Sequence, residues 1–236
     1  MALLALEAVQ TDIGQFHILQ DVSLAVPEGG VTVLLGRNGA GKTTTLKTIM
    51  GLTPAKAGAV TFRGSDIARM APHQIARLGL GYVPEDRGVF TQLSVEENLR
   101  VAARGRDLRR KDRRLDKVFE LFPDLRTAWK RRAGNLSGGQ QQMLAVARGL
   151  INENALLLID EPSKGLAPVV VEHLAAALRQ IAKQATVLLV EQNFALAAAI
   201  GDHYSIIDDG RTVRQGEMTD LIKDAELKQK YLGVAS

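Results

Sequence analysis

Apolar positions along the chain follow two rhythms. Residues 4–9 and 18–26 are strand-like, with Val22, Leu24 and Val26 at every second position, and 31–35 is apolar except for Thr32. A period of two reads as a half-buried strand, and a short unbroken apolar run reads as a strand covered on both faces. Pro27-Glu28-Gly29-Gly30 is the turn between the last two strands. A helix is predicted over 46–50 and ends at Gly51-Leu52-Thr53-Pro54, and a short strand and turn follow over 59–64. A helix over 72–78 then runs into a buried strand over 79–83. From Ser94 the pattern turns helical and stays so through 110–122. Ser94-Val95-Glu96-Glu97 fits a capping box, with Ser94 as N-cap and Glu97 at the third helical position. Strands over 155–159 and 186–190 alternate with helices over 169–183 and 195–200. The tail reads as a hairpin, 204–208 with 212–215 across Asp209-Gly210, before two short helices. This alternation predicts an α/β protein with a mostly parallel, covered sheet.

With 236 residues the chain fits a single domain over 1–236, in which residues of about 86–148 form a candidate helical subdomain. No internal repeat or low-complexity segment interrupts it. Having no cysteine, it has neither a disulfide framework nor a thiolate metal site, which fits a reducing cytosol. Residues 1–7 lack a basic leader region, and no apolar stretch approaches the roughly 20 residues of a membrane span. The chain is therefore expected not to cross a bilayer by itself. Much of the small net charge of +4 lies in the Arg-rich run 104–114. That run reads either as a nucleic-acid or lipid contact or as a solvated helical face broken by Asp107 and Asp112. The second reading is preferred, so no nucleic-acid partner is expected.

Three short stretches carry chemistry. Gly36-Arg37-Asn38-Gly39-Ala40-Gly41-Lys42-Thr43-Thr44 sits between a strand and a helix. Its glycines let successive N–H groups turn inward around phosphate oxygens, at a helix N-terminus whose dipole favours an anion. Lys42 would meet the β- and γ-phosphates and Thr43 would offer its hydroxyl to Mg²⁺. Next, the strand over 155–159 ends in Asp160-Glu161, where α/β sheets place their ligands. Asp160 would hold Mg²⁺, through water, and Glu161 would act as general base on the attacking water. Helix N-cap acids look the same in isolation; the phosphate loop makes the functional reading the stronger one. Last, Leu136-Ser137-Gly138-Gly139-Gln140 opens another helix with exposed N–H groups. An ordinary capped helix is the plain alternative. One phosphate tail has little use for two helix N-termini in one subunit, so the economical arrangement is two chains, each lending its Ser137 loop to the nucleotide held by the other.

In this order, G-R-N-G-A-G-K-T-T, L-S-G-G-Q and L-L-L-I-D-E-P make the chain resemble the nucleotide-binding subunit of an ABC transporter over essentially its whole length. The resemblance implies a P-loop NTPase core with a mostly parallel sheet, an N-terminal antiparallel β part and an inserted α-helical subdomain. It also implies two subunits, as a homodimer or a heterodimer with a related ATPase, closing on ATP and Mg²⁺ at the cytoplasmic face of the inner membrane. Integral-membrane permease subunits would be direct partners, and a periplasmic or extracellular substrate-binding protein an indirect one. Tyr82-Val83-Pro84-Glu85-Asp86-Arg87, the string from Glu161 to Pro168, Leu188-Leu189-Val190-Glu191-Gln192-Asn193 and Tyr231-Leu232-Gly233 are similar to the second ATPase subunit of branched-chain amino-acid importers. Urea and amide importers share much of this pattern.

Several positions depart from the wider ABC pattern. Glu85 stands where most members place a metal-contacting glutamine, and can still ligate the metal. Gln192 replaces a histidine that faces the γ-phosphate, and can hydrogen-bond without carrying a proton. Ala167 replaces an acid in the following loop. Ile13 stands where an adenine-stacking aromatic is expected; Phe16 is the candidate replacement, with a core aromatic as its other reading. A soluble ABC ATPase acting on ribosomes or DNA would be expected to have a second ATPase domain or a long coiled-coil insertion, and neither is present. A small-molecule kinase would leave 136–140 unexplained.

Overall fold

The computed structural model describes residues 2–104, 108 and 112–233. In chain order these form β1 (Ala2–Ile13), β2 (Phe16–Pro27), β3 (Val31–Leu35), α1 (Lys42–Ile49), β4 (Ala57–Phe62), β5 (Ser65–Asp66), α2 (Pro72–Arg77) and β6 (Leu80–Val83). A helical stretch follows, with α3 (Val95–Ala102), α4 (Arg113–Leu121), α5 (Pro123–Thr127) and α6 (Gly138–Leu150). The chain then returns to the sheet through β7 (Leu156–Asp160), α7 (Pro168–Ala182), β8 (Thr186–Val190), α8 (Phe194–Ile200), β9 (His203–Asp208) and β10 (Arg211–Glu217). It closes with α9 (Met218–Lys223), α10 (Ala225–Leu227) and a wide turn over Lys228–Leu232. Among the described residues no helix is long and apolar enough to cross a membrane.

The strands lie in one sheet, ordered β5-β4-β1-β2-β10-β9-β3-β8-β7-β6. Its two halves differ in kind. β6, β7, β8, β3 and β9 run parallel, while β1, β2, β4 and β5 form antiparallel pairs. The halves join through β10, which pairs antiparallel with β9 and meets β2 at Arg211 and Asp21. The apolar runs of the central strands divide by side-chain period. Val31, Val33, Leu157, Ile159 and Leu189 pack into one core with Leu99, Phe122 and Leu144 of the helical stretch. Leu34, Leu158, Leu188 and Val190 face the opposite core, with Leu46, Ile75 and the β1–β2–β4 side.

Strands β3 and β8 match their predicted spans. The β1 strand runs further than 4–9 because register shifts at Leu6/Val9 and Val9/Thr11, with Ala8 at φ 46, absorb the break in alternation. Thr11 at its far end is buried against the Thr48 hydroxyl at 3.1 Å. The predicted capping box is present: Ser94 Oγ accepts from Glu97 N at 3.2 Å, and Ser94 N donates to Glu97 Oε2 at 2.7 Å. Asp209 (φ 44) and Gly210 (φ 69) are both left-handed, as a two-residue hairpin turn requires. In the Arg-rich run, 105–107 and 109–111, including Asp107, lie outside the described residues. Asp112 caps α4 by accepting from Arg114 N at 3.0 Å, so it starts the helix instead of breaking its face.

Candidate nucleotide site

β3 ends at Leu35, and the loop from Gly36 to Gly41 leads directly into α1. A Cβ on Gly36 (φ 151) would stand 2.2 Å from the Ile207 carbonyl oxygen, and one on Gly41 (φ 108) 2.8 Å from Leu19 Cδ2. Gly36 therefore needs glycine for space, against a backbone oxygen that cannot yield, and both positions need it for backbone angle. Gly41 caps α1 without a side-chain hydrogen bond, so the first-turn N–H groups are left for an external acceptor. Arg37, Asn38 and Gly39 are exposed, whereas Ala40, Lys42 and Thr44 are buried. The Lys42 ammonium, 4% exposed, donates to the Gly36 carbonyl at 2.9 Å and the Arg37 carbonyl at 3.1 Å, and lies 3.5 Å from Glu161 Oε1.

Asp160, at the end of β7, is fully buried. Its Oδ1 accepts from the Thr43 hydroxyl at 3.1 Å and its Oδ2 from Tyr82 OH at 3.4 Å. Burial pushes the Asp160 carboxyl up to about 6, reinforced by the negative charges of Glu161 and Glu85 and opposed by the two hydroxyl donors. The Tyr82 phenol is likewise driven above its ordinary range, first by burial and then by Asp160. Glu161 follows in a left-handed backbone conformation (φ 42), with its N–H on the Val190 carbonyl at 2.9 Å. For a non-glycine residue this is a strained geometry, and it accompanies a carboxylate placed beside Lys42.

The remaining predicted residues take up specific partners. Glu85 is hydrogen-bonded and ion-paired to Lys164, whose ammonium also lies 3.8 Å from Glu161 Oε2. The Glu85 partnership holds the Lys164 ammonium above the usual lysine range. Gln192 Nε2 donates to Asn38 Oδ1 of the phosphate loop. A cavity of about 310 Å³ brings together Asn38, Lys42, Thr43, Glu85, Glu161 and Lys164. Beside it, a second of about 760 Å³ is lined by Tyr82, Arg87, Thr91, Gln141 and Asp160, among others. Phe16 is 64% exposed and pairs with the 45% exposed Ile13 across the β1–β2 turn, so it is not a core aromatic; Ile18, further along β2, lines the smaller cavity.

Ser137 caps α6 through a reciprocal pair: its Oγ accepts from Gln140 N at 3.2 Å, and its N–H donates to Gln140 Oε1 at 3.2 Å. Gly138 lies against the Arg87 guanidinium, and a Cβ on Gly139 would meet Val170 Cγ1 at 2.8 Å. Among the described residues, none of 137–140 lines either cavity around Lys42 and Asp160.

Sequence reasoning missed Lys164, Arg87 and Glu191. Arg87 reaches Gln142 Oε1 at 3.2 Å and Gln141 Oε1 at 3.3 Å, tying the stretch after β6 to the helix behind Ser137. Glu191 offered a signal: it is an acid at the C-terminal end of a buried parallel strand, as Asp160 is.

The donor set suits a nucleoside triphosphate with a divalent cation. Among the described residues no cluster of three or more His, Cys, Asp or Glu side chains could cage a metal, so Mg²⁺ at Thr43 and Asp160 would complete its shell with water and phosphate oxygens. A cation there would also offset the charge that burial disfavours on Asp160.

Residues 19–164 match the family model for the ABC transporter. The chain belongs to that family. It is 38% identical over 232 residues to the high-affinity branched-chain amino acid transport ATP-binding protein BraG of Pseudomonas aeruginosa, covering 98% of this chain and 100% of that protein. The probable branched-chain amino acid transport ATP-binding protein LivF of Archaeoglobus fulgidus is 36% identical over 222 residues, covering 93% and 94%. Among solved structures, the ATP-binding cassette of an ABC transporter in its ADP conformation superposes with a TM-score of 0.85 at 25% identity, covering 99% of this chain and 98% of that one. This ABC protein is thus a nucleotide-binding ATPase, and the predicted α/β NTPase core is the one observed.

Proposed function

We propose that this ABC ATPase powers an importer of branched-chain or other hydrophobic amino acids. The observation that carries the hydrolytic part is the grouping, in one region, of Lys42 at 3.5 Å from Glu161 and Thr43 at 3.1 Å from Asp160. The names of the relatives support the substrate class.

The nucleotide phosphates lie over the N–H groups of residues 36–44, and Lys42 exchanges the Gly36 and Arg37 carbonyls for phosphate oxygens. Thr43, Asp160 and Glu85 would hold Mg²⁺, Glu85 being paired to Lys164 in its absence. Magnesium, when bound, neutralises charge on the β- and γ-phosphates. Glu161 takes the proton of the attacking water, and Gln192 turns its amide from Asn38 to the γ-phosphate. The 137–140 loop of each subunit, with Ser137, Gly138, Gly139 and Gln140, completes the anion cradle of the nucleotide held by the other. The helical region of about 86–148 carries that cradle, and 85–92 couples it to membrane permease subunits at the cytoplasmic face, with a substrate-binding protein on the far side.

The test is co-expression with candidate permease subunits. The chain is expected to sediment with membranes only when they are present, and to drive ATP-dependent leucine uptake into vesicles. Sedimentation with ribosomes instead, or uptake of urea but not leucine, would overturn the respective part of the proposal.

A further inference from the structure

Glu191 is 1% exposed, lies outside both cavities around Lys42, and has no part in the chemistry just described. We infer that Glu191 is a positioning residue of the ATPase site, whose buried carboxylate locks the loop after Glu161 to the loop that carries Gln192. This rests on the ATPase reading and extends it.

β7 and β8 are parallel neighbours, and Asp160 pairs with Val190 at their common end. Beyond that level the sheet ladder stops, apart from the Glu161 N–H on the Val190 carbonyl. The Glu191 side chain takes over there. Its Oε1 accepts from Ser163 N at 3.0 Å, and its Oε2 from Ser163 Oγ at 2.9 Å and from Gln192 N and Asn193 N, each at 3.1 Å. Its own N–H reaches the Leu34 carbonyl at 3.3 Å, two residues before the phosphate loop. Three of the side chain's partners are N–H groups that can only donate, which is the set an ionised carboxylate satisfies and an amide cannot fully match. One acid thus fixes Ser163, two residues past the general base, and Gln192, which itself reaches back to Asn38. A shift of about 1 Å between such groups is enough to slow a reaction by about 100-fold.

The experiment compares ATP hydrolysis by the parent, Glu161→Gln, Glu191→Gln and Ser163→Ala, with thermal melting of each. Glutamine at 191 keeps the size and an acceptor for Oε2 but turns an N–H toward Ser163 N. Glu191→Gln is expected to lower kcat by about 10- to 100-fold while KM for ATP stays within about threefold. Ser163→Ala removes one of the bonds and is expected to lower kcat by about threefold. The two combined are expected to lose less than the product of their separate effects, because they break one connection. If Glu191→Gln does not fold, Ser163→Ala decides by the same kcat-against-KM split. Parental kcat in folded Glu191→Gln or Ser163→Ala, beside a stalled Glu161→Gln, would overturn the inference alone. A parent without ATPase activity would overturn the underlying reading, and the inference with it.

Discussion

The first turns of α1 and α6 both present backbone N–H groups to a potential anion, yet their surroundings are built in opposite ways. Around α1, Lys42, Asp160 and Glu161 are at most 7% exposed, and burial favours the neutral form of Asp160. Around α6, Ser137 and Gly138 are exposed, no acid sits in the first turn, and the cap closes on itself through Gln140. The α1 end holds charges under electrostatic tension that a phosphate tail and a divalent cation would relieve. At the α6 end the carboxylate within reach is Asp124, which accepts from Gln140 Nε2 at 3.4 Å and belongs to α5, and no buried acid–lysine group like that of α1 lies in its first turn. On the proposed function, chemistry belongs to the first and recognition of the other subunit's nucleotide to the second.

Exchanging halves between protomers is the strongest way to break that contrast. Lys42→Ala is expected to weaken ATP binding by about 100-fold, from the loss of charge-assisted hydrogen bonds worth roughly 3 kcal/mol together, and to abolish hydrolysis. Ser137→Glu puts a negative charge into the recognition end and is expected to stop hydrolysis while leaving nucleotide affinity of the isolated chain close to parental. Mixed in equal amounts, the two inactive variants should regain roughly a quarter of the parent rate, since half the dimers are hybrids with one intact composite site. Titration calorimetry and a steady-state ATPase assay read both quantities. No recovery on mixing would mean that each chain works alone.

A smaller effect sharpens the electrostatic side of the comparison. The Asp160 carboxyl is raised from 3.8 to about 6 in the folded chain, so folding favours its protonated form. That contribution is complete below pH 3.8, and is lost as pH rises through about 6, amounting to about 3 kcal/mol for a fully buried acid. In metal-free buffer, urea unfolding at pH 4, 5 and 6.5 should show the parent losing stability relative to Asp160→Asn across the interval between the two values. Parallel curves for the two proteins would mean that Asp160 carries no such tension.

What the sequence made legible in this molecule is local. β3 and β8 are apolar runs with a single threonine each, closed by glycine or charge, and the boxes at Ser94 and Ser137 close within three residues, so each carries its own signature. Glu161 beside Lys42 was legible as well, because strand ends and glycine loops meet at one edge of a parallel sheet. The pairs that tune the site were not. Lys164 with Glu85, Gln192 with Asn38 and Glu191 with Ser163 join segments 79, 154 and 28 residues apart. Crossover connections bring those segments together, and nothing in their neighbouring residues records it. The bulges of β1 were hidden for a related reason: the strand is held by partners on both sides even where its own alternation fails.

The smallest effect separates the base end of the nucleotide from the phosphate end. Phe16 is 64% exposed beside Ile13, while Ile18 on the same strand lines the Lys42 cavity, so an adenine leaving that cavity along β2 would pass the ring. An exposed stacking contact of this type contributes about 0.5–1 kcal/mol, so Phe16→Ala should weaken ATP binding by about two- to fivefold. Tripolyphosphate, which has no base, should bind the variant and the parent equally, whereas Lys42→Ala should weaken both ligands. An equal loss for tripolyphosphate in Phe16→Ala would trace the effect to distortion of the β1–β2 hairpin. The adenine contact would then pass to Ile18, which lines the phosphate loop's cavity.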